Sequence, residues 1–215
     1  MRLLTPLEAR VLGVLVEKQA TVPDTYPLSL NSLVAGCNQK TARNPVIEAT
    51  DAEVMTAVDG LKSMSLVFEG SGSRVVKFEH NAPRVLLAPS AAVALLAVLF
   101  LRGPQTAAEL RLNCERLHKF ADISSVEGFL DELANKPTPM VVKLPRAAGE
   151  REARWAHLLC GEVAAPALRA APGDNSVSAG ELAALKAEQT RLAAEVADLR
   201  ELVQKIAREL GMEAD

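Results

Sequence analysis

The chain has 215 residues, 49% of them hydrophobic and 24% charged, with a formal net charge of −3 at pH 7; that size suits two domains plus an extension. Its longest apolar run, Ala91 to Leu101, is about half of the roughly 20 residues a bilayer crossing needs, so it reads as a core helix. The opening MRLLTPLEAR lacks a signal-peptide pattern, and Cys37, Cys114 and Cys160 lack framework spacing, so the expectation is a cytoplasmic chain with reduced thiols.

Five hydroxyl-x-x-Glu matches mark helix starts: Thr5 with Glu8, Thr50 with Glu53, Thr106 with Glu109, Ser124 with Glu127 and Ser178 with Glu181. In this box the hydroxyl accepts from an orphan backbone N–H while the carboxylate accepts from the cap residue's own N–H. The first helix has Pro6 in its first turn, where no N–H is missed, and an apolar face of Leu7, Val11, Leu12, Val14 and Leu15. A shorter helix follows over Asn31 to Cys37.

Then comes CNQKTARNPVIEATDAEV, residues 37–54, with Asn38, Gln39, Lys40, Thr41, Arg43 and Asn44 crowded between apolar runs. The third helix, from Thr50, carries Val54, Val58, Leu61 and Met64 at helical spacing. LVFEGSGSRVVKF reads as a hairpin about a Gly/Ser turn. Helix, helix, helix, hairpin is the order of a winged helix, with the hairpin as wing.

From residue 90 the order repeats: AAVALLAVLFL, Thr106 to about Leu117, Ser124 to about Lys136, and MVVKLPRAAGEREARWAHLL as a second hairpin. First helices are offset by 90 − 5 = 85 residues and third helices by 124 − 50 = 74. The first copy therefore carries 85 − 74 = 11 extra residues. They fall in the 37–54 stretch, where a helix-turn-helix normally needs a turn of only about three or four residues. The stretch is an elaborated turn, placed where such a fold presents its recognition helix.

The expected fold class is mainly α with small β-hairpins (α+β). One winged-helix domain covers residues 1–85 and a second covers 86–162. An Ala/Pro-rich linker over 163–177 leads to a coiled-coil helix over 178–213. There Leu182, Gln189, Val196, Val203 and Leu210 fall at heptad position a, with Leu185, Leu192, Leu199 and Ile206 at d. Branched a residues with mostly Leu at d favour two parallel strands, and Gln189 would set register. Glu181 facing Lys186 and Glu195 facing Arg200 agree, so a homodimer is expected. The alternative is an amphipathic helix that folds back on its own heads.

LTPLEARVLGVLVEKQATVPDTYPLSLNSLVAGCNQKTARNPV resembles the N-terminal signature of the YceH-like family of bacterial tandem winged-helix proteins. SGSRVVKFEH, RGPQTAAELR, LHKFAD, VVKLPR and REARWAHL match as well, and together the matches span about residues 3 to 162. The resemblance implies the fold; it brings no biochemical activity with it.

Two readings of function follow. The first is double-stranded DNA binding, as in a transcriptional regulator: two heads per chain, doubled by a coil, suit a palindromic site. Its candidate contacts are Lys40, Thr41 and Arg43 in the elaborated turn, Arg74 and Lys77 in the first wing, and Lys143, Arg146, Arg151 and Arg154 in the second. On this reading Lys40 and Arg43 are loop charges, and replacing both with Ala leaves folding intact.

Charge limits that reading. Residues 1–85 hold nine Lys/Arg against nine Asp/Glu, and residues 86–165 again nine against nine. Any phosphate contact must therefore be local. The third helices carry Asp51, Glu53 and Asp59 against Lys62, and Glu127, Asp131 and Glu132 against Lys136. Such faces suit neither phosphate rows nor base edges. Hence the second reading, a protein-interaction scaffold resembling the tandem winged-helix subunits of chromosome-condensation complexes, with a protein partner gripped in place of DNA.

An enzyme is not expected, because no nucleophile elbow, phosphate-cradling glycine loop or paired carboxylate stands out. Cys114, His118, His157 and Cys160 match no common zinc spacing, so neither metal nor cofactor is expected. Trp155 and Phe120 read as core residues.

Overall fold

Thr5 caps the first helix as expected in the computed structural model, which describes residues 2–70, 75–146 and 152–163. Its side chain accepts from the Glu8 N–H while the Glu8 carboxylate accepts from the Thr5 N–H, and α1 runs Pro6–Thr21. The same reciprocal box opens α3, Asp51–Ser63, at Thr50 and α6, Ala107–Asn113, at Thr106. Between α1 and α3 lie a short strand, β1 (Leu28–Ser29), and α2 (Leu30–Cys37).

β2 (Val67–Gly70) and β3 (Lys77–His80) form the expected hairpin. The sheet also contains β1, in the order β1-β3-β2, with Leu28 opposite Phe78 and Phe78 opposite Glu69. The alternation along β3 buries Phe78 and leaves Glu79 in solvent. β1 has only two residues, too few to show a strand period, so the sequence does not announce it.

After α4 (Ala82–Val85) the order recurs: α5 (Ser90–Arg102), α6, α7 (Ile123–Ala134) and a hairpin of β4 (Val141–Lys143) with β5 (Trp155–His157). An isolated bridge joins Gln105 to Trp155, in the place that β1 occupies beside β3. Among the described residues the architecture is therefore mixed α and β, with seven α-helices and two small antiparallel sheets.

Two expected boundaries shift. α7 does not start at Ser124: Asp122 is its cap, accepting from the Ser125 N–H at 2.7 Å while the Ser125 hydroxyl accepts from the Asp122 N–H. A carboxylate slightly earlier in the chain outcompetes the serine, because Asp is at least as good a cap and has its own reciprocal partner three residues on. α6 stops at Asn113, four residues short of Leu117. Cys114 closes it, with its thiol against the Ala94 carbonyl, so Cys114 and His118 do not share a helix face.

All described residues belong to one compact unit, Met1–Val163, whose core is a single cluster running from Leu4 to Leu159. Its axis is the pair α1 and α5. Every residue from Ala91 to Leu101 is buried, and α1 packs along α5, with Gly13 seated against Leu101 and Phe100. A helix apolar on every face must be covered on every face; here the first half of the chain supplies much of that cover. Trp155 and Phe120 are buried, Phe120 edge-on to His118 and Phe129.

The expected linker beyond residue 163 and the heptad helix over 178–213, with all its a and d residues, lie outside the described residues. So do Arg74 and Arg151.

Candidate nucleic-acid interface

The 37–54 stretch is a closed excursion. Asn38 caps α2, and its amide reaches across eleven residues to grip the backbone of Ala49 both ways. Nδ2 donates to the Ala49 carbonyl and Oδ1 accepts from the Ala49 N–H, each at 2.8 Å. The separation equals the 11 residues by which the first copy exceeds the second. Pinning the two ends lets the loop be long without loosening the step from α2 to α3.

Inside the loop, charge is sorted by depth. Arg43 points inward and is only 6% exposed. Its Nη2 and Nη1 donate to the two oxygens of the Glu17 carboxylate at 2.6 and 3.1 Å, and its Nε donates to the Gly36 carbonyl at 3.0 Å. This corrects the expectation that Arg43 is a solvated loop cation: its forked donors are spent on α1 and α2, so it is an anchor of the loop. Burial raises the Glu17 pKa, but the Arg43 hydrogen bonds and charge, helped by Lys18, outweigh it and hold the carboxyl below its ordinary range.

A second arginine anchors the loop. Arg10, on α1, is 4% exposed; its Nη1 donates to the Cys37 carbonyl at 3.2 Å and its Nη2 to the Pro45 carbonyl at 2.6 Å. The sequence reading missed Arg10, Glu17 and Asn38 as organisers of the loop. A signal was there for Arg10, a cation three residues from Leu7 and four from Val14 within an apolar stripe.

Lys40 and Thr41 remain outward and exposed, with Gln39 donating to the Thr41 hydroxyl at 3.3 Å. The Gln39 side-chain oxygen Oε1 accepts from the Lys18 ammonium, which steadies the base of this tip. In the first hairpin Lys77 is half-buried on β3. In the second, Lys143 lies 5.4 Å from the Trp155 ring centre and Arg146 is exposed. Arg154 is partly committed to the Glu109 carboxylate at 3.1 Å and the Pro104 carbonyl at 3.3 Å.

The third helices keep their acids in view. Asp51, Glu53 and Asp59 on α3, and Asp131 and Glu132 on α7, are exposed. Their lysines are engaged elsewhere, Lys62 with Glu69 and Asp59, and Lys136 with the Leu86 and Leu87 carbonyls.

The sulfur and imidazole groups do not converge. His157 packs against Phe100, His118 against Phe120, and the Cys160 thiol faces the Thr5 carbonyl. No group of three or more His, Cys, Asp or Glu among the described residues is placed to hold a metal ion. Burial pushes the Cys37 and Cys160 thiols up to about 11 and Cys114 up to about 12, so none is a thiolate at neutral pH. No helix among the described residues is long and apolar enough to cross a membrane.

The structure thus defines a class: a two-part helix-and-hairpin protein with a pinned polar loop between α2 and α3. The chain belongs to the family described as "Protein of unknown function, DUF480", whose model matches residues 4–150. A UPF0502 protein of Leptothrix cholodnii is 66% identical over 216 residues, 99% of this chain and 97% of the relative. One of Burkholderia multivorans is 67% identical over 217 residues, 100% of this chain and 92% of the relative. The run that carries the YceH-like resemblance, which starts at Leu4, lies wholly inside the matched segment.

Proposed function

We propose that this protein is a non-enzymatic binder of double-stranded DNA, built from two winged-helix domains and doubled by the heptad helix of residues 178–213. The observation that carries the reading is the outward sorting of charge in the α2–α3 loop. Buried Arg10 and Arg43 fix the loop, and Lys40 and Thr41 stand at its surface just ahead of the third helix. Lys77, Lys143 and Arg146 on the hairpins are further candidate contacts, joined by Arg74 and Arg151. Arg154, bonded to Glu109, adds its charge to the second hairpin.

The acidic faces of α3 and α7 keep those helices out of the major groove. Binding rests on loop and hairpin contacts to phosphate, which position a protein without specifying sequence. Those faces also favour a second reading, a scaffold whose partner is a basic protein surface.

The test is the affinity of the full-length protein for a mixed-sequence duplex across a salt series. Binding whose logarithm falls linearly with log salt, by about 0.9 per phosphate contact, supports the DNA reading. No binding at low salt overturns it and leaves the scaffold. Light scattering of a chain ending at residue 177 tests the dimer; a dimer that survives the truncation places the contact elsewhere.

A further inference from the structure

A cavity of about 480 Å³ opens between the N-terminal part of α1, the 44–49 segment of the loop, the end of α5 and the strand bearing His157. Its size falls within the roughly 300–1,000 Å³ of small-molecule sites. Leu7, Ile47, Leu99 and Phe100 give it apolar walls. Two further lining residues are Arg10 and His157.

Both carry an unmet need. Among the described residues, buried side-chain nitrogens without a hydrogen-bond partner occur at three places, Arg10 Nε, Arg111 Nε and His157 Nδ1, and two of the three belong to this one cavity. Arg10 has no carboxylate among the described residues within ion-pair distance, since its two bonds go to neutral carbonyls. Arg43 beside it is neutralised by Glu17. One buried positive charge therefore lacks a counter-ion, an arrangement that is costly unless something anionic completes it. Burial keeps His157 neutral, with its pKa pushed down to about 4, so its Nδ1 can be the protonated nitrogen and offer a second donor.

Acids also line the cavity: Glu48, which is exposed, and Glu53, held in the α3 capping box. They repel a second negative charge. We propose that this cavity binds a small monocarboxylate with an apolar body, its carboxylate taken by Arg10 and its body by Leu7, Ile47, Leu99 and Phe100. Because one wall is the 44–49 segment, occupancy braces the same loop that presents Lys40 and Thr41. The inference is independent of DNA binding and stands whether or not a duplex is bound.

Octanoate, 1-octanol and suberate, of one chain length and of charge −1, 0 and −2, are the probes, titrated calorimetrically into the full-length protein. The expected result is one octanoate per chain, with octanol and suberate each at least tenfold weaker. Arg10→Met should erase the preference for octanoate over octanol. Because Arg10 also pins the loop, Ile47→Trp is the second variant: it fills the cavity without touching the cation and should abolish octanoate binding while the circular dichroism spectrum is kept. No octanoate binding, octanol binding as tightly as octanoate, or octanoate binding that survives Ile47→Trp would each overturn the proposal.

Discussion

Arg43 and Glu17, 26 residues apart in sequence, form a two-pronged ion pair in which the arginine side chain has no exposed surface and the glutamate only 15%. Arg43→Ala leaves the Glu17 carboxylate partly buried and without its main partner, and removing one partner of a buried pair costs about 3 kcal/mol or more. Lys40→Ala, three residues away but exposed, should change stability by less than about 0.5 kcal/mol. Urea unfolding midpoints separate the two. Equal midpoints would mean that the pair is not held in solution, and the expectation that both replacements leave folding intact would return.

The same pair sets an acid limit. Glu17 and Glu8 both titrate below the ordinary carboxylate range, Glu8 chiefly through its hydrogen bonds from Arg2 and despite its burial. A depressed folded pKa means stability that is complete above the unfolded value, about 4.3, and lost as pH falls through the folded values. The carboxylate contribution should therefore hold down to about pH 5 and be lost below about pH 4. It comes on top of an earlier decline in melting temperature that starts below about pH 6.5, because buried His80 and His157, with pKa values pushed down to about 4, take up protons more readily in the unfolded chain. The carboxylate loss should shrink in Glu17→Gln, which has already forfeited the charge.

Two glycines inside helices should respond in opposite directions to alanine. At Gly128 on α7 an added methyl would meet nothing within 4 Å, so Gly128→Ala should gain about 0.5–1 kcal/mol from helix propensity. At Gly60 on α3 a methyl would run into the Glu8 carboxylate and the Arg2 guanidinium. Overpacking of about 1–3 kcal/mol outweighs the propensity gain there, and Gly60→Ala should lower the melting temperature. A stabilised Gly60→Ala would show that the Arg2–Glu8 contact is loose.

Packing of α1 on α5 joins the two halves energetically. A chain ending at residue 85 exposes the face of α1 around Gly13 that Phe100 and Leu101 cover. It should self-associate or melt without cooperativity, whereas residues 1–163 should unfold in one transition. Size-exclusion chromatography and thermal melts decide this. A monomeric 1–85 fragment melting as sharply as 1–163 would make the interface energetically idle.

If the loop tip meets phosphate, Lys40→Ala should weaken duplex binding and reduce the salt slope by about 0.9, with folding unchanged. An unaltered slope would remove Lys40 from the interface.

What the sequence determined by itself is what local physics governs. The boxes at Thr5, Thr50 and Thr106 involve groups three residues apart, the all-apolar stretch of α5 demands burial whatever covers it, and β2 and β3 pair as strands that are neighbours in the chain. The same locality explains the miss at Ser124: two overlapping boxes fit the pattern, and the better cap, Asp122, won. What only the tertiary structure decided is which side of the loop each cation faces. Lys40 and Arg43 look alike in CNQKTARNPV, yet one is in solvent and the other is buried. The difference lies in Glu17 and Gly36, brought to Arg43 by the packing of α1 and α2. The cavity, too, draws its walls from residues as distant as Leu7 and His157. A pattern with a period of three or four residues reports a helix face; it cannot report which charged group across the fold that face will meet.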